Sequence, residues 1–356
     1  MPTKTMATRS ELSRTIFATC APGNASTRVT NNPTQTLQNS HVRIAHASKL
    51  RGEIVSRLSR VFVVPVLCLL AITATPAQEQ ITRPPITGVA RVQVYVTNVA
   101  SARDFYEKTL RLASTKCPNS EIADCLVVND HQQVQLVAAP SPVPSNLIAK
   151  VAFATTDVAQ MRRYLISKGL APGDITTGSN RARHFSVKDP EGHVISFVQL
   201  PASAASPKVP GQTSTKLIHA GFIVHDRQAE DRFYKDILGF RLYWQGGMKD
   251  NETSWVSMQV PDGTEWMEYM LNIPADASHH LVGVMNHVAL GVSDIQATKA
   301  QLLSNGWKPS EEPKLGRDGK WQLNLYDPDE TRVEFMEFKP AEKPCCSEFG
   351  GPHPGP

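Results

Sequence analysis

A histidine stands at the head of a strand-like segment, NHVALGVSDIQATKAQLLSNGW, which spans residues 286–307. Side chains alternate between the two faces of a strand, so Val288 and Val292 share one face while His287 points to the other, beside small residues. An imidazole in that position can ligate a metal or move protons, although a single histidine there is more often structural. The remainder of the chain must therefore supply its partners.

The residues after this strand predict a helix that covers its apolar face. Asp294 is a good helix cap, Ile295 and Leu302 recur at roughly helical spacing, and Gly306 is typical of a helix end. The apolar face of the strand is therefore expected to pack on the helix. His287 is left on the opposite face, where there is room for a ligand.

Much of the chain is an internal repeat, with Phe105-Tyr106 falling on Phe233-Tyr234. The matching segments are 91–112 with 219–240, 150–170 with 287–307, and 189–200 with 327–338. Each half reads as two strand-helix-strand-strand-strand units. In the second half, the predicted elements are strands at Leu217–Val224, Arg241–Trp244, Glu252–Gln259, Glu265–Leu271, Trp321–Tyr326 and Thr331–Phe338, and a helix at Ala229–Leu238.

Four such units, with helices of the ARDFYEKTL and EDRFYKDILGF type and an Asp-Pro turn before the last strand, resemble the vicinal oxygen chelate (VOC) superfamily. That superfamily includes glyoxalase I, extradiol dioxygenases, methylmalonyl-CoA epimerase and the fosfomycin and bleomycin resistance proteins. The resemblance covers residues 88–339. It implies an α+β fold in which four βαβββ modules form two paired domains, each an open cup that can hold a metal.

In the second half, the resemblance implies a metal site made of His219, Glu268, His287 and Glu334. The alternation of side chains agrees, because the apolar neighbours of both glutamates face away from them. Two imidazoles and two carboxylates suit one divalent transition metal, which could be Fe, Zn, Mn, Co or Ni.

The first half departs from this pattern. Arg91 and Lys150 stand where the two histidines would be, Ser196 replaces the last carboxylate, and only Gln135 could still be a ligand. Two cations cannot hold a metal. This half is either structural or carries an anion-binding pocket formed by Arg91 and Lys150, since interior charges need partners.

Three functions fit these residues. The four-ligand set favours glyoxalase I-like lyase or isomerase chemistry on a small oxygenated metabolite, in which a metal assists proton abstraction next to a carbonyl and Glu334 or Glu268 moves the proton. An extradiol dioxygenase would use His219, His287 and Glu334. However, Asn324 occupies the position of a tyrosine in those enzymes, and KLGRDGK (314–320) lacks their upstream histidine.

The third possibility is a non-catalytic, resistance-type binding protein. Its cup would be lined by aromatic side chains, which are otherwise simply core. Asn324 and Trp321, together with Arg91 and Lys150, are the candidate substrate-binding residues. The aromatic candidates are Phe222, Trp244, Trp255, Trp266 and Trp321.

The composition and charge of the chain limit the classes of partner that it is expected to bind. The chain has 356 residues, a formal charge of +4 and 41% hydrophobic residues, which is ordinary for a globular protein. Nine basic and two acidic residues precede residue 78, so the remainder carries a formal charge of −3. No basic cluster predicts nucleic-acid binding. The expected partner is a small-molecule substrate, and the expected state is a monomer or a homodimer.

Residues 55–77 resemble a signal peptide, with arginines, an apolar stretch and a cleavage site after Ala77. This pattern predicts a periplasmic or secreted protein that leaves the membrane after cleavage, so Cys117 and Cys125 could form a disulfide, although two free thiols fit almost as well. Residues 1–54 are predicted to be a disordered leader or a mis-assigned start. The remaining predicted parts are a degenerate VOC domain at 88–200, a linker at 201–215, a metal-binding VOC domain at 216–339 and a disordered tail at 340–356.

Overall fold

The computed structural model describes residues 81–201, 207 and 209–356. The predicted leader and signal peptide lie outside these residues, and so does most of the proline-rich part of the predicted linker. Within the described part of the chain, no helix is long and apolar enough to cross a membrane.

The described chain folds into two eight-stranded sheets with short helices. In the first sheet, the strands are β1 (Ile86–Val96), β2 (Ala113–Thr115), β3 (Asp124–Asn129), β4 (Gln132–Ala138), β5 (Ile148–Thr155), β6 (Thr176–Thr177), β7 (Arg183–Lys188) and β8 (Val194–Gln199). In the second, they are β9 (Lys216–Ile223), β10 (Arg241–Gly246), β11 (Trp255–Gln259), β12 (Trp266–Met270), β13 (His287–Val292), β14 (Lys314–Leu315), β15 (Trp321–Tyr326) and β16 (Arg332–Glu337).

The helices are α1 (Val99–Asp104), α2 (Val158–Ser167), α3 (Arg227–Asp231), α4 (His279–Met285) and α5 (Ile295–Ser304). The first and third continue as π-helical turns over Phe105–Thr109 and Arg232–Ile237. Asp294 caps α5 as predicted, because its side chain accepts hydrogen bonds from the backbone of Gln296 and Ala297.

Strand order confirms the four-module prediction. The sheets run β2-β3-β4-β1-β5-β8-β7-β6 and β10-β11-β12-β9-β13-β16-β15-β14. Within each module, the first strand pairs in parallel with the last strand. Two modules then meet through antiparallel pairing of their first strands, β1 with β5 and β9 with β13. The fold is the predicted α+β arrangement of two paired domains.

The two faces of each sheet have different roles. On β1, Val92, Val94 and Val96 are buried in the main apolar core with the helices, while Arg91 and Tyr95 point to the opposite, concave face. The concave face of the first sheet is called the first cup below, and that of the second sheet the second cup.

The repeated Phe-Tyr and Asp-Pro motifs hold the two halves of the chain together reciprocally. Tyr106 of the first half donates a hydrogen bond to Asp327 of the second, with 3.4 Å between Oη and Oδ2. Tyr234 of the second half donates to Asp189 of the first over 3.2 Å. All four residues are buried. The sequence repeat therefore encodes contacts between halves as well as the modules themselves.

A second reciprocal pair lies beside the first. The carboxylate of Asp329, two residues after Asp327, accepts from the backbone of Thr97 in the first half over 3.0 Å. Glu191, two residues after Asp189, accepts from the backbone of Asp226 in the second half over 2.6 Å. Each Asp-Pro turn therefore anchors the strand–helix turn of the other half.

The tail at 340–356 was predicted to be disordered, and this prediction is wrong. The indole of Trp244 donates to the carbonyl of Cys345 over 3.2 Å. His353 Nδ1 lies 2.6 Å from the hydroxyl of Tyr243, and the ring of Phe349 packs 4.8 Å from that of Tyr243. The proline and glycine content suggested disorder, but these contacts bury aromatic surface on β10.

The chain contains two disulfides among the described residues. Cys117 is joined to Cys125, as the sequence suggested, with 5.4 Å between their Cα atoms. In the tail, Cys345 is joined to Cys346. The first disulfide fixes the loop between β2 and β3, which forms one wall of the first cup.

Candidate metal centre

The four side chains that were predicted to ligate a metal converge at the centre of the second sheet. His219, Glu268, His287 and Glu334 lie on the adjacent strands β9, β12, β13 and β16. Strand register arranges them as two pairs. Glu268 and His287 flank Gly221, and His219 and Glu334 flank Ala289.

Small residues between the paired side chains leave room for them. A Cβ atom at Gly221 would lie 2.1 Å from Cε1 of His287, so the imidazole rests directly over the backbone of β9. Any larger residue at this position would displace the ring. The glycine that follows Ala220 in HAGFIV is therefore part of the site.

The donor atoms lie at distances that suit a shared ion. His219 Nε2 is 2.9 Å from His287 Nε2 and 3.4 Å from the Glu334 carboxylate, while His287 Nε2 is 3.3 Å from the Glu268 carboxylate. The remaining imidazole–carboxylate distances are 3.6 and 3.7 Å. Donors that each lie about 2.1 Å from one ion are separated by roughly 3.0–3.4 Å in octahedral or tetrahedral geometry.

The orientation of His287 leaves its Nε2 atom available to bind a metal. Its Nδ1 lies 2.9 Å from the carbonyl of Met285 and must donate to it, so the lone pair is on Nε2, which faces the other three side chains. His219 stacks on the indole of Trp266, with 4.6 Å between ring centroids.

The charge states favour cation binding. Burial opposes ionisation of Glu334, but the charge of Arg332 and the imidazoles of His219 and His287 outweigh it and lower its pKa to about 2. Burial likewise opposes ionisation of Glu268, and the two imidazoles again prevail and lower its pKa. Burial, followed by the charge of Arg332, lowers the pKa of His287. Two carboxylates and an unprotonated imidazole are the donor types that a divalent transition metal needs, so these residues fit the predicted ion.

A cavity of about 40 Å³ adjoins the two carboxylates. Its walls include Trp244, Trp255, Arg317 and Arg332. Neither arginine was identified from the sequence. A usable signal was available for Arg332, because it stands two residues before Glu334 and must share its face of β16.

Of the predicted substrate-binding residues in this half, one is on the cup face and one is not. Asn324 pairs in register with Glu334, and its amide donates to Glu311 over 3.2 Å. Trp321 was expected in the cup, and this is wrong. It packs against the helix-side core together with Leu323 and Leu325, because it lies an odd number of positions from Asn324.

The aromatic side chains divide in the same way. Trp244, Trp255 and Trp266 belong to the buried cluster on the concave face of the second sheet, beside the predicted ligands. Phe222 was expected to line the cup but lies in the main core, where its ring stacks on that of His193 at 4.2 Å. All five tryptophans of the chain, including Trp307, lie in its second half.

Lys320 is a buried residue close to the site that the sequence did not predict. Its ammonium group lies 5.0 Å from the ring centroid of Trp266 and donates to the hydroxyl of Tyr243 over 3.1 Å. Burial lowers its pKa to about 8, although Asp318 and Glu268 partly offset this effect. Arg91 and Lys150 lie elsewhere, on the concave face of the first sheet.

Comparisons with known proteins agree with this architecture. Residues 216–335 match the model of the glyoxalase/bleomycin resistance protein/dioxygenase superfamily. A lactoylglutathione lyase from Haemophilus influenzae is 28% identical over 127 residues, which cover 35% of this chain and 93% of the relative.

Solved structures resemble a larger part of the chain. Homoprotocatechuate 2,3-dioxygenase from Brevibacterium fuscum, in complex with 3,4-dihydroxyphenylacetate, superimposes with a TM-score of 0.56 at 18% identity, over 75% of this chain and 86% of that one. The same enzyme from Arthrobacter globiformis gives 0.55 at 19% identity, over 72% and 80%. At this identity, the similarity establishes the fold. The family match at residues 216–335 and the four paired modules thus support a member of the glyoxalase/bleomycin resistance protein/dioxygenase superfamily, also known as the VOC superfamily.

Proposed function

We propose that this protein is a metal-dependent lyase or isomerase of the glyoxalase I type, which abstracts a proton next to a carbonyl of a small oxygenated metabolite. The observation that carries the proposal is the convergence of two carboxylates and two imidazoles within 4.8 Å of one another. When bound there, a divalent metal polarises a carbonyl oxygen of the substrate.

The two carboxylates have different surroundings, which suggests different roles. Glu334 is almost fully buried, and Arg332 stabilises its charge from 4.0 Å. Glu268 is the more exposed of the two, with 11% of its side chain accessible, and its hydrogen-bond partner is the Ser257 hydroxyl at 3.3 Å. We assign the moving proton to Glu268, because it borders the cavity and is held less firmly, and we assign a fixed ligand role to Glu334.

The cavity walls supply orientation. Arg317 and Arg332 line it beside the carboxylates, so they can hold a polar oxygen of the substrate. Trp244 and Trp255 provide a flat apolar surface and exclude water. The small cavity and the tail above Trp244 favour a small substrate.

Metal content and proton exchange test the proposal separately. Untagged protein is analysed for metals after anaerobic reconstitution with Fe, Zn, Mn, Co or Ni, beside His287→Ala and Glu268→Gln. We expect about one equivalent in the parent and little in His287→Ala. Exchange of the carbon-bound protons of 2-hydroxy-ketone and hemithioacetal probes is followed by NMR in D2O. Glu268→Gln should lose at least 100-fold in this exchange while keeping metal.

The control is Glu252→Gln, which changes an exposed glutamate of the same half. It should match the parent in both measurements. Absence of metal in the parent would leave the binding-protein alternative. Cleavage of a catechol ring by the reconstituted protein, without proton exchange, would replace this proposal with the dioxygenase alternative.

Export stays part of the proposal. The predicted signal at 55–77 lies outside the described residues, and the Cys117–Cys125 disulfide is compatible with an oxidising compartment. N-terminal sequencing of protein recovered from the periplasm or the medium should begin near Gln78.

A further inference from the structure

The first cup contains a larger cavity than the second. It measures about 300 Å³ and lies on the concave face of β1, β5, β7 and β8. Arg91, Lys150 and His184 point into it from three of these strands. The positions that hold the histidines in the second half are thus occupied by cations in a cavity that is large enough for a small molecule.

Arg91 is a buried charge without a described counter-charge. The residue is 8% exposed, and no hydrogen bond or ion pair found within the described residues involves its guanidinium group. Burial alone accounts for the lowering of its pKa. A buried charge that lacks a partner costs several kcal/mol, so a folded protein retains one where something else supplies the opposite charge.

The other two groups point to the same kind of ligand. Burial lowers the pKa of Lys150, and Glu121 at the rim only partly offsets this effect. Burial lowers the pKa of His184, and the charges of Arg91 and Lys150 lower it further. Its Nδ1 is buried without a partner among the described residues, while Nε2 contacts Thr176. Arg91 and Lys150 therefore form one positive field, beside which His184 is an uncharged imidazole, and Glu121 is the single carboxylate among the lining residues.

Most of the other residues that line the cavity are apolar, or their polar side chains already form hydrogen bonds with other side chains. Gln93 and Gln135 bond to each other over 3.0 Å, and Ser186 and Ser196 over 2.7 Å. The apolar lining is formed by Val137, Val194, Val198, Ile122 and Tyr95. A ligand that matches this cavity has an anionic end and an apolar body.

We propose that the first cup is a binding site for a small organic carboxylate, held between Arg91 and Lys150 with its hydrocarbon part against the valines. Inorganic phosphate would satisfy the charges but leave the apolar wall without a partner. This assignment replaces the purely structural interpretation of the first half. It does not depend on metal in the second cup.

The wall at residues 117–122 is fixed on both sides. The Cys117–Cys125 disulfide closes the loop, and the carbonyl of Pro118 accepts a hydrogen bond from Ser179 over 3.0 Å. The loop is thereby preorganised next to Lys150. Reduction of this disulfide should therefore weaken carboxylate binding.

Isothermal titration calorimetry with benzoate tests the site in the full protein, with benzyl alcohol as the uncharged counterpart. We expect one benzoate site per chain and at least tenfold weaker binding of benzyl alcohol. Arg91→Met and Lys150→Met should each weaken benzoate binding at least tenfold. Arg163→Met, which removes an exposed charge on α2, should leave it unchanged.

Folding is checked in the same variants by melting temperature and by far-ultraviolet circular dichroism. Arg91→Met removes an unpaired buried charge, so it should melt no lower than the parent without ligand. Lys150→Met provides a second, independent variant. Three results would each overturn the proposal: no saturable benzoate binding by the parent, equal binding by both methionine variants, or binding of inorganic phosphate without benzoate.

Discussion

Arg332 keeps the most buried carboxylate of the candidate metal centre ionised. It is 2% exposed and lies 4.0 Å from Glu334, on the same face of β16. Its charge is the largest of the effects that keep the pKa of Glu334 low. The carboxylate therefore stays ionised, and available to a cation, at pH values well below neutrality.

Replacing Arg332 with methionine should make metal retention more sensitive to acid. Loss of the guanidinium raises the pKa of Glu334, so protons compete with the metal at a higher pH. We expect the pH at which half of the metal is lost to rise by about one unit, measured by elemental analysis after dialysis between pH 4 and 8.

The matched control is Arg317→Met, which also removes a cation from the cavity wall. Because Arg317 is not among the main charges acting on Glu334, the acid sensitivity of metal retention should stay close to that of the parent. Equal shifts in the two variants would mean that the general field of the cavity, and not Arg332 itself, controls Glu334.

Glu230 is another buried carboxylate, but its pKa is raised, whereas that of Glu334 is lowered. It is fully buried, and burial together with the charge of Asp189 raises its pKa from 4.5 to about 9. In the unfolded chain it ionises above pH 4.5, whereas in the folded protein it stays protonated up to about pH 9. Its contribution to stability therefore decreases as pH rises through this window.

Glu230→Gln should stabilise the protein at alkaline pH. Glutamine has a similar shape and does not titrate, so the loss of stability between pH 4.5 and 9 disappears. We expect a gain of about 2 kcal/mol in the free energy of unfolding at pH 8 and little change at pH 5, from urea titrations. The exposed control Glu252→Gln should be neutral at both values; a gain that is equal at pH 5 and pH 8 would contradict the titration argument.

The convergence of the four predicted ligands could be anticipated from sequence, because each has a fixed place within a repeated module and a fixed face within a strand. Arg332 followed the same rule and was overlooked. Lys320 could not have been predicted, because its burial depends on Tyr243 from another module and on the aromatic tail. Trp321 shows that residue type alone does not predict a binding role, because its position on β15 directs its side chain toward the main core.

At the scale of elements, the tail packs against β10 beside the second cup. His353, Phe349 and Cys345 contact Tyr243 and Trp244, which belong to the aromatic cluster of the second cup. The tail has no regular secondary structure, and only side-chain and backbone contacts hold it to β10. Segments held in this way open more easily than strands within a sheet.

Deletion of residues 341–356 should leave the fold intact and make the candidate metal centre more accessible to solvent. We expect removal of metal by EDTA to become at least tenfold faster, followed by elemental analysis over time, with an unchanged far-ultraviolet circular dichroism spectrum. Deletion of residues 354–356 alone retains His353 and should behave like the parent. Equal rates for the long deletion and the parent would show that the tail does not limit access.

Most strands and long helices were predictable from alternation and helical spacing, and their bounds differ by a few residues. The helix at His279–Met285 was not predicted. Ser278 caps it and its last turn buries Val284 and Met285 against the cup cluster, yet the segment offers only seven residues of pattern. The short strand at Lys314–Leu315 is likewise defined only by its pairing with β15.

At the scale of the whole molecule, the halves depend on each other through Tyr106 with Asp327 and Tyr234 with Asp189. The repeat revealed the four modules, but not which copies of the motifs would meet. A tyrosine and an aspartate far apart in sequence carry no signal of contact without the assembled fold.

Tyr106→Phe and Tyr234→Phe should each destabilise the protein by about 1–2 kcal/mol, because each leaves a buried carboxylate with one fewer donor. The sites are separate, so the double variant should lose roughly the sum, measured by urea unfolding. Tyr95→Phe, in the first cup, serves as the control and should be close to neutral. A neutral double variant would mean that other contacts hold the halves together.

All five tryptophans lie in the second half of the chain, so the intrinsic tryptophan fluorescence of the protein comes from that half. Trp266 stacks on the predicted ligand His219, and Trp244 and Trp255 line the adjoining cavity. Among the residues that line the first cup, tyrosine is the only strong ultraviolet chromophore. Tryptophan fluorescence should thus respond to metal and ligand in the second cup and not to a ligand in the first cup. Metal ions with partly filled d shells should quench the tryptophan fluorescence, whereas zinc should not. Fluorescence can therefore follow metal exchange in the second cup while a carboxylate is bound in the first cup without affecting the signal.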